Sequence, residues 1–166
     1  MKIELKRISE NELGILNVLY EFACKYFDDI GQEIRSYGNS PKKALTEGIL
    51  PPNGTMENYV FYSIYLGDEI IGYFDYYLGF PNDDTVYISF VFIKDEYRGN
   101  GYAKEIILDF CDKMGGDGFK YIRLTVQLKN WNALKFWYKL GFSKIASLDI
   151  QIEEQANFEL VKELND

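Results

Sequence analysis

The sequence predicts an α/β fold of the α+β kind, one sheet flanked by helices, and three observations lead there. Strand-like and helix-like runs follow one another in the order β, α, α, β, β, β, α, β, α, β, β, with no internal repeat and no low-complexity tract. A run rich in β-branched and aromatic residues, Thr85 to Ile93, passes through a glycine-bent turn, Arg98-Gly99-Asn100-Gly101-Tyr102-Ala103, into a strongly periodic helix. At 166 residues the chain is one domain's worth, so residues 1–166 are read as a single domain able to bury about 70% of its unfolded surface.

Taken in order, Lys2 to Ile8 alternates charged and apolar residues, the pattern of a half-exposed strand. Ser9 with Glu12 makes a capping box, and Leu13, Leu16, Leu19, Tyr20, Ala23 and Phe27 carry a helix to about Phe27. Charge and a glycine interrupt it over Asp28-Asp29-Ile30-Gly31-Gln32-Glu33. Ser40-Pro41 is an N-cap with proline at the first helical position, opening a short helix through about Leu50 that Pro51-Pro52-Asn53-Gly54 stops. Two strands, Tyr59 to Leu66 and Glu69 to Leu78, join at Gly67-Asp68 as a hairpin, and Pro81 to Asp84 turns the chain into Thr85. Ala103, Ile106, Ile107, Phe110, Cys111 and Met114 form the stripe of the long helix, which Gly115-Gly116-Asp117-Gly118 ends. A strand from Tyr121 to Leu128, a helix opened by Asn130 and ended at Gly141-Phe142, and a closing pair, Phe142 to Ile152 and Asn157 to Leu164, complete the chain.

The turn at 98–103 is built to hold an anion. Gly99 and Gly101 remove the Cβ atoms that would keep a ligand off the backbone, and the first helical N–H groups point into the loop. Aligned peptide dipoles add roughly half a positive charge there, which suits a pyrophosphate. A nucleoside-triphosphate loop would need Gly-x4-Gly-Lys-Ser/Thr, which is absent. A dinucleotide fingerprint would need a third glycine where Lys104 stands.

Composition narrows the chemistry. With no histidine, imidazole bases, serine triads and histidine metal sites are excluded, and no metal is expected. Cys24 and Cys111 fall on apolar helical stripes as small hydrophobes, too far apart for a metal or redox motif. A net charge of -8 argues against a nucleic-acid surface and mildly favours a cationic partner, although acidic surfaces also serve solubility. No stretch approaches the roughly 20 apolar residues of a membrane span, and the N-terminus lacks a secretory signal, so the cytoplasm and no membrane partner are expected.

Arg98-x-x-Gly101-x-Ala103 resembles the Arg/Gln-x-x-Gly-x-Gly/Ala signature of the acyl-CoA dependent N-acyltransferases of the GNAT superfamily. A second block strengthens the likeness: Asn130, Ala133 and Phe136 lead into Lys139-Leu140-Gly141-Phe142, similar to the family's Asn-x-x-Ala helix ending in Gly-Phe. The resemblance is close from Thr85 to Phe142 and rests on element order before that. It implies a mixed, mostly antiparallel central sheet flanked by about four helices, with two central strands splayed to admit a pantetheine arm. Acetyl-CoA is then the co-substrate, its arm paired with Val91, Phe92 and Ile93. Its pyrophosphate would rest on Arg98, Gly99, Asn100, Gly101, Tyr102 and Ala103, with Asn130 contacting the arm. The reaction implied is attack of a neutral amine on the thioester.

In the family the usual general acid is a tyrosine four residues before the Gly-Phe pair, a position filled here by Trp137. At about 100° per residue Trp137 faces the cofactor slot and Tyr138 sits on the flank. Tyr138 serves as acid only if the helix is rotated; otherwise water protonates the thiolate and Trp137 walls the slot. The central strand holds no carboxylate, so a water relay through Ser89, Tyr87 or Asp75 is the expected base, with Ser89 a candidate catalytic residue. Asp28, Asp29 and Glu33, beside Tyr26, Phe27 and Tyr37, either hold a cationic amine or form a solvated helix end. The acceptor expected is a small cationic amine of polyamine or amino-sugar type. A protein N-terminus or lysine is the alternative, and a non-catalytic acyl-CoA sensing domain is the reading from another class. Proteins of this shape commonly pair through the sheet edge or C-terminal strands, so a homodimer is among the assemblies the resemblance allows.

Overall fold

The computed structural model describes residues 2–31, 40–150 and 156–164. Seven strands, β1 (Ile3–Arg7), β2 (Tyr59–Leu66), β3 (Glu69–Leu78), β4 (Thr85–Ile93), β5 (Tyr121–Gln127), β6 (Lys144–Asp149) and β7 (Asn157–Glu163), form one sheet in the order β1-β2-β3-β4-β5-β7-β6. Every neighbouring pair is antiparallel except β4 with β5, so the sheet is mixed and mostly antiparallel, as expected. The four helices are α1 (Leu13–Asp29), α2 (Pro41–Thr46), α3 (Tyr102–Gly116) and α4 (Trp131–Lys139).

Period-two alternation along the central strands divides the core in two. Phe61, Tyr73, Tyr77 and Phe92 pack on Leu16, Leu19, Ala23 and Cys24 of α1 and on Ala44 of α2. Val60, Phe74, Tyr76, Val86 and Ile88 face the other way, onto Ile106, Ile107, Phe110 and Met114 of α3. Helices therefore cover both faces, which is why β2 to β4 read as near-continuous apolar runs. Leu16, Ile71 and Ile107 are wholly buried, each contributing about 1.5–3 kcal/mol by leaving water. Both cysteines are buried and unpaired, and burial pushes the Cys111 thiol up to about 11, so it stays a packing group.

Several boundaries differ from those the pattern suggested. The Ser9-Glu12 box forms by half: the Glu12 carboxylate accepts from both the Ser9 N–H (2.6 Å) and the Ser9 hydroxyl (2.8 Å). A 3₁₀ turn, Glu10–Glu12, intervenes, and α1 opens at Leu13 without a side-chain cap. α1 continues through Asp28 and Asp29, because the interruption comes only at Gly31, whose φ of +76° favours glycine. α2 ends at Thr46 and not near Leu50, since Gly48 turns left-handed at φ +72° before the prolines. Ser40 caps it as expected, accepting from the Lys43 N–H at 3.3 Å. β6 covers Lys144–Asp149 of the run expected from Phe142 to Ile152, whose last two residues lie outside the described residues.

Two features of the sheet prepare the site. β4 pairs with β5 only from Thr85↔Tyr121 to Ile88↔Leu124. Beyond that, β5 stays with β7 through Gln127↔Asn157, while β4 stays with β3 through Ile93↔Gly72. The strands thus part at Ser89, the splay the resemblance implied. The cause lies in the β3 ladder, where Asp75 pairs with Phe90 but Tyr76 pairs with Ile88, leaving Ser89 as the extra residue of a bulge. A bulge bends its strand and sharpens the twist, which peels β4 away from β5.

Candidate active site

Where β4 and β5 separate, a cleft of about 1060 Å³ opens, at the upper limit of ligand cavities in general. It runs from the turn before α3, along the unpaired edge of β4, to an aromatic chamber under α1. Of the eleven residues expected to hold the cofactor, Val91, Phe92, Ile93, Arg98, Gly99, Gly101, Tyr102, Ala103, Asn130 and Trp137 all line it. Asn100 is the exception: its amide donates to the Tyr97 and Arg98 carbonyls, both at 3.2 Å, and pins the turn from outside.

The turn itself is a backbone device. Gly99 and Gly101 have φ of +79° and +87°, and a Cβ at either would meet no atom within 4 Å. Left-handed geometry, and not crowding within the protein, is therefore what selects glycine at both. Gly101 is the N-cap of α3 and supplies no side-chain cap, so the N–H groups of the first turn are left facing the cleft. Lys104, in the first turn of α3, lines the same end and adds a cation that the glycine pattern did not single out.

Arg98 does more than lend charge. Its Nε donates to the Ile93 carbonyl at 2.7 Å, its Nη1 pairs with Asp95 at 2.8 Å, and its guanidinium lies over Phe92 (4.9 Å) and Tyr26 (4.6 Å). It thereby ties the end of β4 to the turn and to α1. Tyr26 then reaches across the cleft, donating to Asn130 Oδ1 at 3.1 Å, while the same oxygen accepts from the Ala133 N–H at 3.1 Å. Asn130 is both the N-cap of α4 and a cleft residue. The bridge to Tyr26 was not legible, because the two residues lie 104 positions apart.

Trp137 is buried against Phe136 and Phe142, with ring centroids 5.0 Å apart in each case, and walls the slot. Tyr138 is 67% exposed and does not line the cleft. Both side chains lie on the faces that helical spacing gives them. Asn132 of α4 is exposed and also lines the cleft.

At the far end Phe27, Tyr77, Phe80, Tyr87 and Phe90 supply ring faces, with Ile49, Leu50, Pro51 and Pro52 above them. Asp28 and Asp29 are exposed on the last turn of α1 and are not among the lining residues; Glu33 and Tyr37 lie outside the described residues. No carboxylate lines the described part of the cleft. Tyr87 bonds Thr125 across the point where the strands part, and burial raises its phenol. Behind Ser89 sits Asp75, fully buried, accepting from the Tyr59 hydroxyl at 2.8 Å. Burial pushes its carboxyl up to about 7, against hydrogen bonds from Tyr59 and Ser89 that favour the charged form.

No helix among the described residues is long and apolar enough to cross a membrane, and none of them form a cluster able to hold a metal ion. The structure is similar to an acetyltransferase from Thermus thermophilus, 20% identical, at a TM-score of 0.75 over 99% of this chain and 98% of that one. It is also similar to the PaiA N-acetyltransferase of Thermoplasma acidophilum, solved in complex with coenzyme A: 22% identity, TM-score 0.76, 98% and 99% coverage. The ribosomal-protein-S18-alanine N-acetyltransferase of Escherichia coli is similar at 11% identity and TM-score 0.67, over 99% and 96% of the two chains. These likenesses establish the fold. The sequence model described as the acetyltransferase (GNAT) family matches residues 19–142, most of the cleft's lining included, and the chain therefore belongs to that family of acetyl-CoA-dependent acetyltransferases.

Proposed function

We propose that this protein transfers the acetyl group of acetyl-CoA directly to the primary amine of a small molecule that is cationic in solution, of polyamine or amino-sugar type. The observation that carries the reading is one continuous cleft joining an anion-binding turn to an aromatic chamber along an unpaired strand edge. The pyrophosphate would lie on the N–H groups at the start of α3, with Lys104 beside it. The pantetheine arm would pair with the free edge of Val91 to Ile93 as an added strand does, under Tyr26 and Asn130. The thioester would then stand near Ser89.

Side-by-side placement of amine and thioester is the largest contribution, since well-oriented pairs are worth about 7–11 kcal/mol. A backbone N–H of Val91 or Phe92 would hold the oxyanion. Aromatic walls offer a cationic amine ring faces and exclude water from the tetrahedral intermediate. Trp137 has no acidic proton to give at neutral pH, so the departing thiolate takes its proton from water. Such a reaction belongs in the cytoplasm, with acetyl-CoA.

Calorimetry with CoA and acetyl-CoA, followed by thiol release with spermidine, glucosamine, phenethylamine and an alanine-led peptide, tests the reading. Heat with CoA and turnover on spermidine or glucosamine are expected. Absence of heat with either thioester or thiol overturns the cofactor site; turnover on the peptide alone overturns the acceptor.

A further inference from the structure

Asp75 is a costly residue to place where it lies. It is wholly buried among aromatic side chains, and no cation is among the groups that set its ionisation. The groups facing it are the Tyr59 hydroxyl from β2, Tyr73 from β3 and Ser89 from β4, with Tyr20 and Cys24 of α1 standing behind Tyr73. An apolar residue of the same size would pack there at lower cost. Its position against the bulge explains what the cost obtains. On a regular strand Ser89 and Phe90 would point to opposite faces. Here Phe90 stacks on Tyr73 at 5.4 Å and Ser89 meets Asp75, and Tyr73 and Asp75 share one face of β3. The bulge therefore turns two successive β4 side chains the same way and sets one hydroxyl between a buried carboxylate and the cleft.

We propose that Ser89 and Asp75 form a one-hydroxyl proton relay, with Ser89 touching the acceptor amine and Asp75 acting through it as the positioning residue and proton sink. This rests on the acetyl-transfer reading above. The bound ammonium gives one proton to Ser89 Oγ while the Ser89 proton passes to the Asp75 carboxylate. The freed lone pair forms the N–C bond, and the C–S bond breaks with its electron pair going to sulfur. The second N–H proton leaves nitrogen as that bond breaks and reaches the thiolate through water. Asp75 then returns its proton to solvent by way of Ser89. An ordinary carboxyl near 3.8 would be a poor sink for an ammonium proton, and the rise to about 7 improves the match by about a thousandfold.

The test uses Asp75→Asn, Ser89→Ala and Tyr59→Phe in the full chain. For wild type on whichever amine of the panel is turned over, kcat is expected to rise with pH through an inflection near 7, well below the amine's own ionisation. Asp75→Asn should lose that inflection and about a hundredfold in kcat, with CoA affinity kept by calorimetry. Ser89→Ala should lose less, since a water can stand in for the hydroxyl. Tyr59→Phe removes a hydrogen bond to the charged form and should move the inflection upward. Carboxyl ¹³C shifts give a readout independent of turnover: one aspartate titrating near 7 in wild type, absent in Asp75→Asn and displaced in Tyr59→Phe. An Asp75→Asn enzyme with wild-type kcat and pH profile, or no aspartate titrating above about 6, overturns the relay. Failure of wild type to bind CoA would overturn the transferase reading while leaving the titration result to decide whether Asp75 is poised as described.

Discussion

At one end of the cleft the protein presents backbone, the N–H groups of a left-handed turn and the first turn of α3; at the other it presents side chains, the rings of Phe27, Tyr87 and Phe90 and the hydroxyl of Ser89 backed by Asp75. A diphosphate is the same in every acyl-CoA, and peptide dipoles recognise it whatever residues fill the turn, provided φ is positive where it must be. An amine, the acceptor of the proposed function, differs from one compound to another, so its site would have to be written in side chains. The first end is therefore spelled out by a short motif, and the second by residues from β2, β3, β4 and α1 that meet only in space. Asn130 and Tyr26 stand between the two and couple them.

Four variants sharpen this contrast. Gly72→Ala should do the most damage: its Cβ would lie 2.1 Å from the Phe92 carbonyl oxygen, so β3 and β4 must separate along the wall that both ends share. A loss of about 1–3 kcal/mol or more is expected, read as a fall in Tm of several degrees with activity reduced at every acceptor concentration. Gly101→Val strains a left-handed residue without touching the chamber. Calorimetry should show CoA affinity down by tenfold or more, from a strain cost of about 1–3 kcal/mol, while stability changes little elsewhere. Were affinity unchanged, the backbone turn would not be the anion site. Asn130→Ala removes the α4 cap and the partner of Tyr26, costing about 1 kcal/mol of stability, and should raise KM for acetyl-CoA several-fold while the amine KM moves less. Equal rises in both would mean that the bridge orders the whole cleft and not the cofactor half. The smallest effect is expected from Asp28→Asn with Asp29→Asn, exposed residues outside the lining, with stability within about 0.5 kcal/mol and amine KM within twofold. A tenfold rise in that KM would extend the acceptor site onto the end of α1.

The glycine-turn end of the cleft was legible because its logic is local. Arg98 to Ala103 is contiguous, glycine at two positions states the φ, and Asn130 with Ala133 and Trp137 follows helical spacing. The chamber end was only partly so. The sequence offers Ser89, Tyr87 and Asp75 as a group from which a relay is drawn, but nothing in TVYISFVFI marks Ser89 as the bulged residue, since register is set by the partner strand. Tyr59 gave no signal beyond that of a strand aromatic, yet its hydroxyl holds Asp75. The acidic run at Asp28 and Asp29 shows the converse: charge density along the chain points to residues that the helix turns outward.

By itself the sequence determined the order of elements, the faces of the helices and the left-handed glycine turn before α3, because each depends on contacts between residues a few positions apart. The tertiary structure alone decided where β4 leaves β5, which β4 hydroxyl meets a buried carboxylate and which helix closes over the slot. Those outcomes depend on the pairing register between strands and on side chains distant in the chain, and short-range periodicity carries no information about either.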